Sequence, residues 1–434
     1  MIQLIYFSIS IYLQLETFNY YNYIIKFNNL NNYRYNKNIN KEKIINRAKI
    51  MSNDYINHIK NKKEQILDLF YGDVKNISNK KELYNVIKKH FYYPIHNEIT
   101  DYDENIITII NDFQHTNNCN SNNNEDDDNC NKYKNKIKYI DWGEHKLNSW
   151  YKPVGLIICN KLIKKYNNYY LRTLGFDIIQ FTNGLNIWFK KGTNDKACMF
   201  IHSSIGGLVC YHNLIKKLLI HDKNMTIFLP EIPGISHINK TNNLPSIYEM
   251  SNQIIDFINY FNVNKKINEL NFIGHSFGCN IITCIINRLY DKLYTNINKI
   301  IIVEGCVLLP RLMKLYKLFN TNSFYLALDF IKNNKYIDIL SILLFNRNLD
   351  VQYYLLRCLN QSDSILLNDS NFEKNNKIYF VMAENDDKIS VKECEQYILS
   401  KQYNCYFKIF NDREHADFVF DNNIQQYVVN LLNK

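Results

Sequence analysis

The sequence predicts an α/β fold, in which a mostly parallel, doubly wound sheet carries a helical cap insertion and follows a helical, low-complexity N-terminal extension. Three features lead to this prediction. From about residue 138 onward, short apolar runs alternate with helix-like segments, as in parallel β-α-β units whose sheet is covered on both faces. Between about 307 and 375 this alternation stops, and helix-like apolar segments follow one another. Before residue 138 the chain is rich in Asn, Tyr and Lys.

The composition is that of a globular protein with enough apolar material for a large core. Of the 434 residues, 46% are hydrophobic and 22% are charged, and the formal net charge is +10. The lysines are scattered among asparagines, without zinc-finger spacing, a helix-turn-helix pattern or an RNA-binding signature. We therefore predict a solvated basic surface and no nucleic-acid partner. The 11 cysteines form no CxxC pair and several lie in apolar runs, which favours buried, reduced thiols.

Residues 1–50 begin with the apolar stretch MIQLIYFSISIYLQL, which precedes the first acidic residue, Glu16. The stretch has the length of a signal peptide but lacks the positive residue that normally comes before the apolar region. Three interpretations stay open: a targeting leader, a helix in peripheral contact with a membrane surface, and the first buried element. We expect an intracellular protein, cytoplasmic or membrane-associated, with an organellar or secretory leader as the alternative. No apolar run approaches the ~18 residues that span a bilayer.

Two further segments precede the sheet. Residues 41–114 contain stretches such as KKELYNVIKKHF, whose apolar residues recur at three- and four-residue spacing, and they are predicted to form a helical extension. Residues 115–136, HTNNCNSNNNEDDDNCNKYKNK, are almost wholly polar, and we predict a disordered insert. The remaining residues, 138–434, form the predicted α/β domain, with its cap at about 307–375.

Within this domain the predicted strands and helices follow in a regular order. The run FDIIQFTNGLNIWFKK is predicted to be a hairpin that turns at Asn183-Gly184. Later strands are predicted at KACMFIH, MTIFLPEI, ELNFIGHS, KIIIVEGC, KIYFVMAE and YNCYFKIF. Helices are predicted at LVCYHNLIKKLLIHD, LPSIYEMSNQIIDFINYF and GCNIITCIINRLY, near 390–400, and at the C-terminus.

The segment Gly274-His275-Ser276-Phe277-Gly278 places a serine between a predicted strand and a predicted helix. A sharp strand-to-helix turn needs small residues two positions to either side of the serine, and Gly274 and Gly278 meet that need. Such a turn exposes the hydroxyl as a nucleophile and sets the backbone N–H of Phe277 at a helix N-terminus. Because Gly, Ser and Asn also build ordinary loops, a plain loop is the alternative.

A serine hydroxyl needs a base that takes its proton, and the base needs a partner that orients it. His415 lies in NDREHADFVF, between the last predicted strand and the last helix, and is the candidate base. Asp386, in the loop of VMAENDDKIS, is the candidate acid. Asp387, shifted by one residue, and Glu304, which ends an earlier strand, stay open as alternative acids.

The oxyanion that forms when a serine attacks a carbonyl needs hydrogen-bond donors. The backbone N–H of Phe277 is one candidate, and that of Ser204, in the loop HSSIGGLVCY, is the other. His202 is expected to shape this loop by hydrogen bonding and not to act as the base. Gly206 and Gly207 let the loop pass close to a substrate.

From about residue 177 onward the chain resembles the α/β-hydrolase superfamily, in the branch with a GHSxG elbow and an HG-x-G-x-G-type loop before a helix that carries Tyr. His202, Gly207 and Tyr211 match that loop, whereas Ser203 and Ile205 stand where the family usually has glycine. The resemblance implies a serine hydrolase that needs neither metal nor cofactor and works through a Ser–His–Asp triad and an acyl-enzyme intermediate.

The fold hosts esterases, lipases, thioesterases and acyltransferases, so the substrate has to be argued separately. We predict hydrolysis of a small-molecule carboxylic ester, with a lipid-like acyl group favoured by the apolar cap. An acyltransferase or thioesterase on the same scaffold is the first alternative, although the short acyltransferase signature is not evident after His415. A catalytically inactive, hydrolase-fold binding protein is the second. Halide and epoxide chemistry in this superfamily uses an aspartate nucleophile, which the serine at the elbow argues against.

Overall fold

Eight strands form the central sheet of the protein in the computed structural model. The structure describes residues 2–31, 70–71, 138–139, 149, 151, 153–180, 185–204, 206–236, 244–264, 267–308, 349–354, 377–400 and 405–433. The strands are β1 (Asp177–Gln180), β2 (Asn186–Lys190), β3 (Lys196–Ile201), β4 (Thr226–Glu231), β5 (Glu269–His275), β6 (Asn296–Val303), β7 (Lys377–Ala383) and β8 (Cys405–Phe410).

The strands lie in the spatial order β1-β2-β4-β3-β5-β6-β7-β8. β2 runs antiparallel to both of its neighbours, whereas every pairing among β3 to β8 is parallel. β1 and β2 form the predicted hairpin, and its expected turn at Asn183-Gly184 lies outside the described residues. The mostly parallel sheet with flanking helices confirms the α/β part of the predicted fold class.

Helices cover both faces of this sheet. The described α-helices are α1 (Ile2–Asn31), α2 (Val154–Thr173), α3 (His212–His221), α4 (Ile247–Asn264), α5 (Phe277–Cys284), α6 (Leu349–Tyr353), α7 (Val391–Ser400) and α8 (Asn422–Asn430). On one face α4 contacts α5, and on the other α3 contacts α8. None of the described helices combines the length and the apolar character needed to cross a membrane.

The core is divided into two apolar layers by the sheet, and β3 shows how the sequence produces them. Successive side chains of a strand point to opposite faces. Ala197, Met199 and Ile201 therefore pack in the layer with α4 and α5, while Cys198 and Phe200 pack in the layer with α3 and α8. All five are fully buried, which is why this strand is an unbroken apolar run.

Two elements differ from the sequence prediction. The helix predicted to begin near Leu208 starts at His212, because Gly207–Tyr211 form a 3₁₀ turn after Gly206, which has a φ of 71°. Helix α2 was not predicted at all. It packs on the domain through residues such as Asn167 and Leu171, which are buried.

Several predicted segments lie largely outside the described residues. Of the helical extension at 41–114, the structure describes Phe70–Tyr71, which pair antiparallel with Lys138–Tyr139. The polar insert at 115–136 is outside, and the cap at about 307–375 is described at 307–308 and 349–354.

Candidate active site

Ser276 lies at the sharp turn between β5 and α5, with a φ of 49° and a ψ of −114°. This conformation is strained for a residue other than glycine and persists where the surroundings impose it. Two backbone hydrogen bonds do so. The Ser276 N–H donates to the carbonyl of Val303 at 2.9 Å, and the Ser276 carbonyl accepts from the N–H of Cys279 at 3.0 Å.

The glycines on either side of Ser276 are required by close packing. A Cβ atom at Gly278 would lie 2.2 Å from the carbonyl oxygen of Ile201, and one at Gly274 would lie 2.7 Å from Cδ1 of Ile282. The N-terminus of α5 is thus pressed against the end of β3. This contact brings the turn beside the loop that begins at His202.

The structure brings Ser276, His415 and Asp386 together. Ser276 Oγ is 3.0 Å from Nε2 of His415, and Nδ1 of His415 is 2.8 Å from Oδ2 of Asp386. Asp386 is buried, and its Oδ1 accepts from the backbone N–H groups of Lys388 at 2.7 Å and Ile389 at 3.1 Å. These bonds fix the carboxylate, so that its other oxygen is directed at the imidazole.

The charges around His415 favour its protonated form. Burial by itself would lower the pKa of His415, but the carboxylates of Asp386 and Glu304 raise it, and the resulting pKa lies above the ordinary value for histidine. The ammonium group of Lys388 acts in the opposite direction. A raised pKa makes the neutral imidazole a stronger base for a serine hydroxyl.

The two alternative acids occupy different surroundings. The Asp387 side chain is 54% exposed and forms an ion pair with Lys388. Glu304 is buried and accepts from the backbone N–H groups of Ala416 at 2.6 Å and Phe418 at 3.3 Å. Glu304 is therefore bonded to the loop that carries His415, whereas Asp386 is bonded to the imidazole.

A buried chain of polar side chains runs beneath the site. Nε2 of His275 donates to Oε2 of Glu304 at 2.9 Å, and its Nδ1 is 2.6 Å from the hydroxyl of Tyr211. The same hydroxyl lies 2.8 Å from Oγ of Ser203. Burial lowers the pKa of His275 below its ordinary value, which favours the neutral ring. Sequence reasoning treated His275 as support for the elbow and missed the chain, because its members are far apart in sequence.

The loop after β3 is fixed by His202. Nδ1 of His202 donates to the carbonyl of Ser203 at 2.7 Å, and its Nε2 accepts from the N–H of Ile232 at 3.1 Å. Both ring nitrogens are thus engaged within the fold, as expected for a residue that shapes the loop. Gly207 has a φ of 64°, and a Cβ there would lie 3.1 Å from Cα of Ser236.

The two predicted oxyanion donors lie on neighbouring segments. Phe277 is the first residue of α5, so its N–H has no acceptor within the helix. Ser204 is half-buried in the loop that follows β3, and Ile205 lies outside the described residues. The segments meet at Gly278, where a Cβ atom would lie 2.2 Å from the carbonyl oxygen of Ile201 and 2.8 Å from that of His202.

No family model and no curated protein matches the sequence. The structure is similar to the solved structure of a carboxylesterase from Nitrososphaera gargenis, with a TM-score of 0.44 and 12% identity over 59% of this chain and 98% of that chain. It is similar to an esterase from Thermogutta terrifontis, with a TM-score of 0.43 and 12% identity over 59% of this chain and 98% of that chain. It is also similar to the carboxylesterase CesB from Bacillus subtilis, with a TM-score of 0.44 and 9% identity over 64% of this chain and 98% of that chain. Identities this low say nothing about a shared substrate.

Proposed function

We propose that this chain is a serine hydrolase that cleaves a carboxylic ester through Ser276, His415 and Asp386. The chain has the α/β-hydrolase fold, with an antiparallel second strand, a serine elbow after β5, and an acid and a histidine after β7 and β8. One observation carries the proposal: Ser276 Oγ, His415 and Asp386 form a hydrogen-bonded chain of 3.0 and 2.8 Å at a strained turn.

In this mechanism His415 takes the proton of Ser276 as the serine oxygen attacks the carbonyl carbon of the ester. Asp386 keeps the proton on Nδ1, which leaves Nε2 free to accept. The imidazolium then gives its proton to the leaving alcohol, and the acyl group remains on Ser276. His415 next takes a proton from a water, whose oxygen attacks the acyl carbon. The imidazolium then returns that proton to the Ser276 oxygen as its bond to the acyl group breaks, and the acid is released.

The tetrahedral oxyanion in both steps needs donors that are in place beforehand. The backbone N–H of Phe277 is one such donor. The second is the backbone N–H of Ser204, because Gly278 presses the elbow against the start of that loop. His202 supports the arrangement by holding the carbonyl of the preceding residue, Ser203.

The surroundings of the elbow favour an apolar acyl group. The ring of Tyr354, which follows α6, lies 6.0 Å from that of Phe277. Val307 and Leu308 after β6 belong to the same buried apolar layer. A lipid-like ester is therefore the substrate class we propose.

The first test is labelling of the full chain by a fluorophosphonate, which reacts with an activated serine. We expect labelling of the wild type and none in Ser276→Ala or His415→Ala. Asp386→Asn should label much more slowly, while Asp387→Asn should label like the wild type. Absence of labelling in a folded wild-type protein would reject the proposed function and favour a binding protein with this fold.

Hydrolysis is separated from acyl transfer by the products. A panel of acyl esters is incubated with the wild-type protein with and without an added alcohol or thiol acceptor. We expect free acid in both cases. Acyl transfer to the acceptor as the main product would overturn hydrolysis and leave the activated serine intact.

A further inference from the structure

The exposed apolar side chains of the described residues are concentrated on two helices. Eight of the large ones belong to α1 and six to α2, against seven on all the rest of the described chain. A soluble surface normally scatters such residues, and a contiguous apolar patch marks a binding surface. We call the exposed residues of these two helices the α1–α2 face.

The two helices are joined into one surface by hydrogen bonds. Glu16 of α1 accepts from the backbone N–H of Val154, at the start of α2, at 2.9 Å, and it also bonds the hydroxyl of Tyr151. Tyr23 of α1 donates to the carbonyl of Ser149 at 3.0 Å. These contacts engage one side of α1, whereas Phe18 and Tyr21 are exposed on the other side.

The outer side of α2 carries an apolar stripe next to a cationic one. Spacing of four and three residues aligns side chains along one face of a helix. The apolar stripe consists of Ile158, Leu162, Tyr166 and Tyr169, all exposed. Beside it lie Lys161 and Lys165, which are also exposed. By contrast, the positive charge of Lys164 opposes the rise in pKa that burial causes at the Glu231 carboxylate, so Lys164 lies on the side of α2 that faces the domain.

The charged side chains of the α1–α2 face favour an anionic lipid layer as the partner. Helix α2 contains no acidic residue, and Glu16, the acid of α1, is engaged with Tyr151 and Val154. An apolar surface with tyrosines and a lysine rim matches the boundary of an anionic lipid layer, where apolar side chains enter the acyl region and lysines meet the headgroups.

The position of α2 agrees with this partner. Ile163, Lys164 and Asn167 of α2 line a small cavity together with Gly206 and Gly207, which belong to the predicted oxyanion loop. Helix α2, which carries part of the α1–α2 face, thus packs against the loop that holds the predicted oxyanion donor Ser204.

We propose that the α1–α2 face docks on the surface of an anionic membrane. Docking itself does not depend on catalysis, although a lipid-like ester, as proposed above, would then be drawn from the layer on which the protein sits. The helices lie on the membrane surface, with Ile158, Leu162 and Phe18 in its apolar boundary and Lys161 and Lys165 at its headgroups.

The test is sedimentation of the full chain with vesicles of phosphatidylcholine, with or without phosphatidylglycerol. We expect stronger binding to the anionic vesicles, weakened by high salt. The double variant Ile158→Asp/Leu162→Asp should bind at least roughly tenfold more weakly to both kinds of vesicle. The double variant Lys161→Glu/Lys165→Glu should lose the preference for anionic lipid.

Matched controls make the result specific. Tyr260→Asp/Val263→Asp changes two exposed apolar side chains of α4, outside the α1–α2 face, and should bind like the wild type. Ser276→Ala should also bind, which separates docking from the proposed chemistry. All α2 and α4 variants should unfold at the wild-type urea midpoint, which shows that they are folded whether or not the chain hydrolyses an ester.

Two outcomes would overturn the proposal. The first is that the wild-type protein does not sediment with anionic vesicles, or that it does and the α2 variants sediment to the same extent. The second is a concentration-dependent dimer of the wild type that Ile158→Asp/Leu162→Asp abolishes, since a second copy of the chain would then cover the α1–α2 face.

Discussion

The carboxylate of Glu304 accepts a hydrogen bond at 2.6 Å from the backbone N–H of Ala416, the residue that follows His415. Ala416 has a φ of 75°, a left-handed conformation that costs a residue other than glycine free energy. Glu304 therefore holds the loop in the conformation that directs the imidazole at Ser276. The same carboxylate contributes to the raised pKa of His415.

Replacement of Glu304 by Gln is expected to move the acidic limb of the pH–activity profile to lower pH. Glu304 and Asp386 raise the pKa of His415 and Lys388 lowers it, so loss of the Glu304 charge lets the imidazole stay neutral in more acidic solution. The plateau activity should also fall, by roughly tenfold. The Glu304 carboxylate accepts from the N–H groups of Ala416, Phe418 and His275, and an amide cannot accept from all three.

Profiles of kcat/KM against pH for the wild type and Glu304→Gln test this expectation. Asp387→Asn is the matched control, because it removes an exposed carboxylate and should leave the limb in place. If Glu304→Gln lowered kcat/KM at every pH but left the acidic limb at the same pH, Glu304 would act through the loop conformation and not through its charge.

The choice of acid is tested by kinetics on a soluble ester. We expect Asp386→Asn to lower kcat by about 10⁴-fold, since the amide favours the wrong tautomer of His415. Asp387→Asn should stay within about twofold of the wild type. If Asp387→Asn proved the damaging variant, the assignment of Asp386 would be wrong.

Gly278→Ala is expected to destabilise the protein strongly. The new Cβ would lie 2.2 Å from the carbonyl oxygen of Ile201, so the elbow or β3 has to move, at a cost of about 3 kcal/mol or more. Gly155→Ala is the control, because a Cβ there meets nothing within 4 Å and alanine favours the helix by up to ~1 kcal/mol. Urea unfolding of both variants measures the difference. Equal free energies of unfolding would show that the turn tolerates a side chain.

Lys26→Met is expected to lower the free energy of unfolding by about 3 kcal/mol. Nζ of Lys26 is 2.6 Å from Oδ1 of Asp350, which is buried, so the variant leaves a buried carboxylate without this cation. Lys26→Met/Asp350→Asn should recover most of the loss, because it removes the charge as well. If Lys26→Met were as stable as the wild type, the ion pair between Lys26 and Asp350 would contribute little to stability.

The sheet could be predicted from sequence because its signals are local. The alternation of short apolar runs with helical segments, and the glycines around Ser276, each lie within a few residues. The preference for Asp386 over Asp387 could not be fixed by spacing, since adjacent loop residues point in different directions. The bond from Glu304 to Ala416 joins residues 112 positions apart and arises from the pairing of β6, β7 and β8.

Helix α2 was missed for a physical reason. Its exposed side carries Ile158 and Leu162, while its buried side includes Asn167, so the usual relation between apolar pattern and core is partly reversed. Asn167 can be buried because the nitrogen and the oxygen of its side-chain amide hydrogen-bond to Glu231 and His212. A tertiary polar network of this kind leaves no periodic signal in the sequence.

The separation of 139 residues between Ser276 and His415 has a consequence for biosynthesis. β8 has to pair with β7 before the histidine can reach the elbow. While the chain is still emerging from the ribosome, Ser276 is therefore present without His415, the base of the proposed mechanism. Under the proposed mechanism, the nascent polypeptide would stay unreactive toward neighbouring esters until β8 pairs with β7 and brings His415 to Ser276.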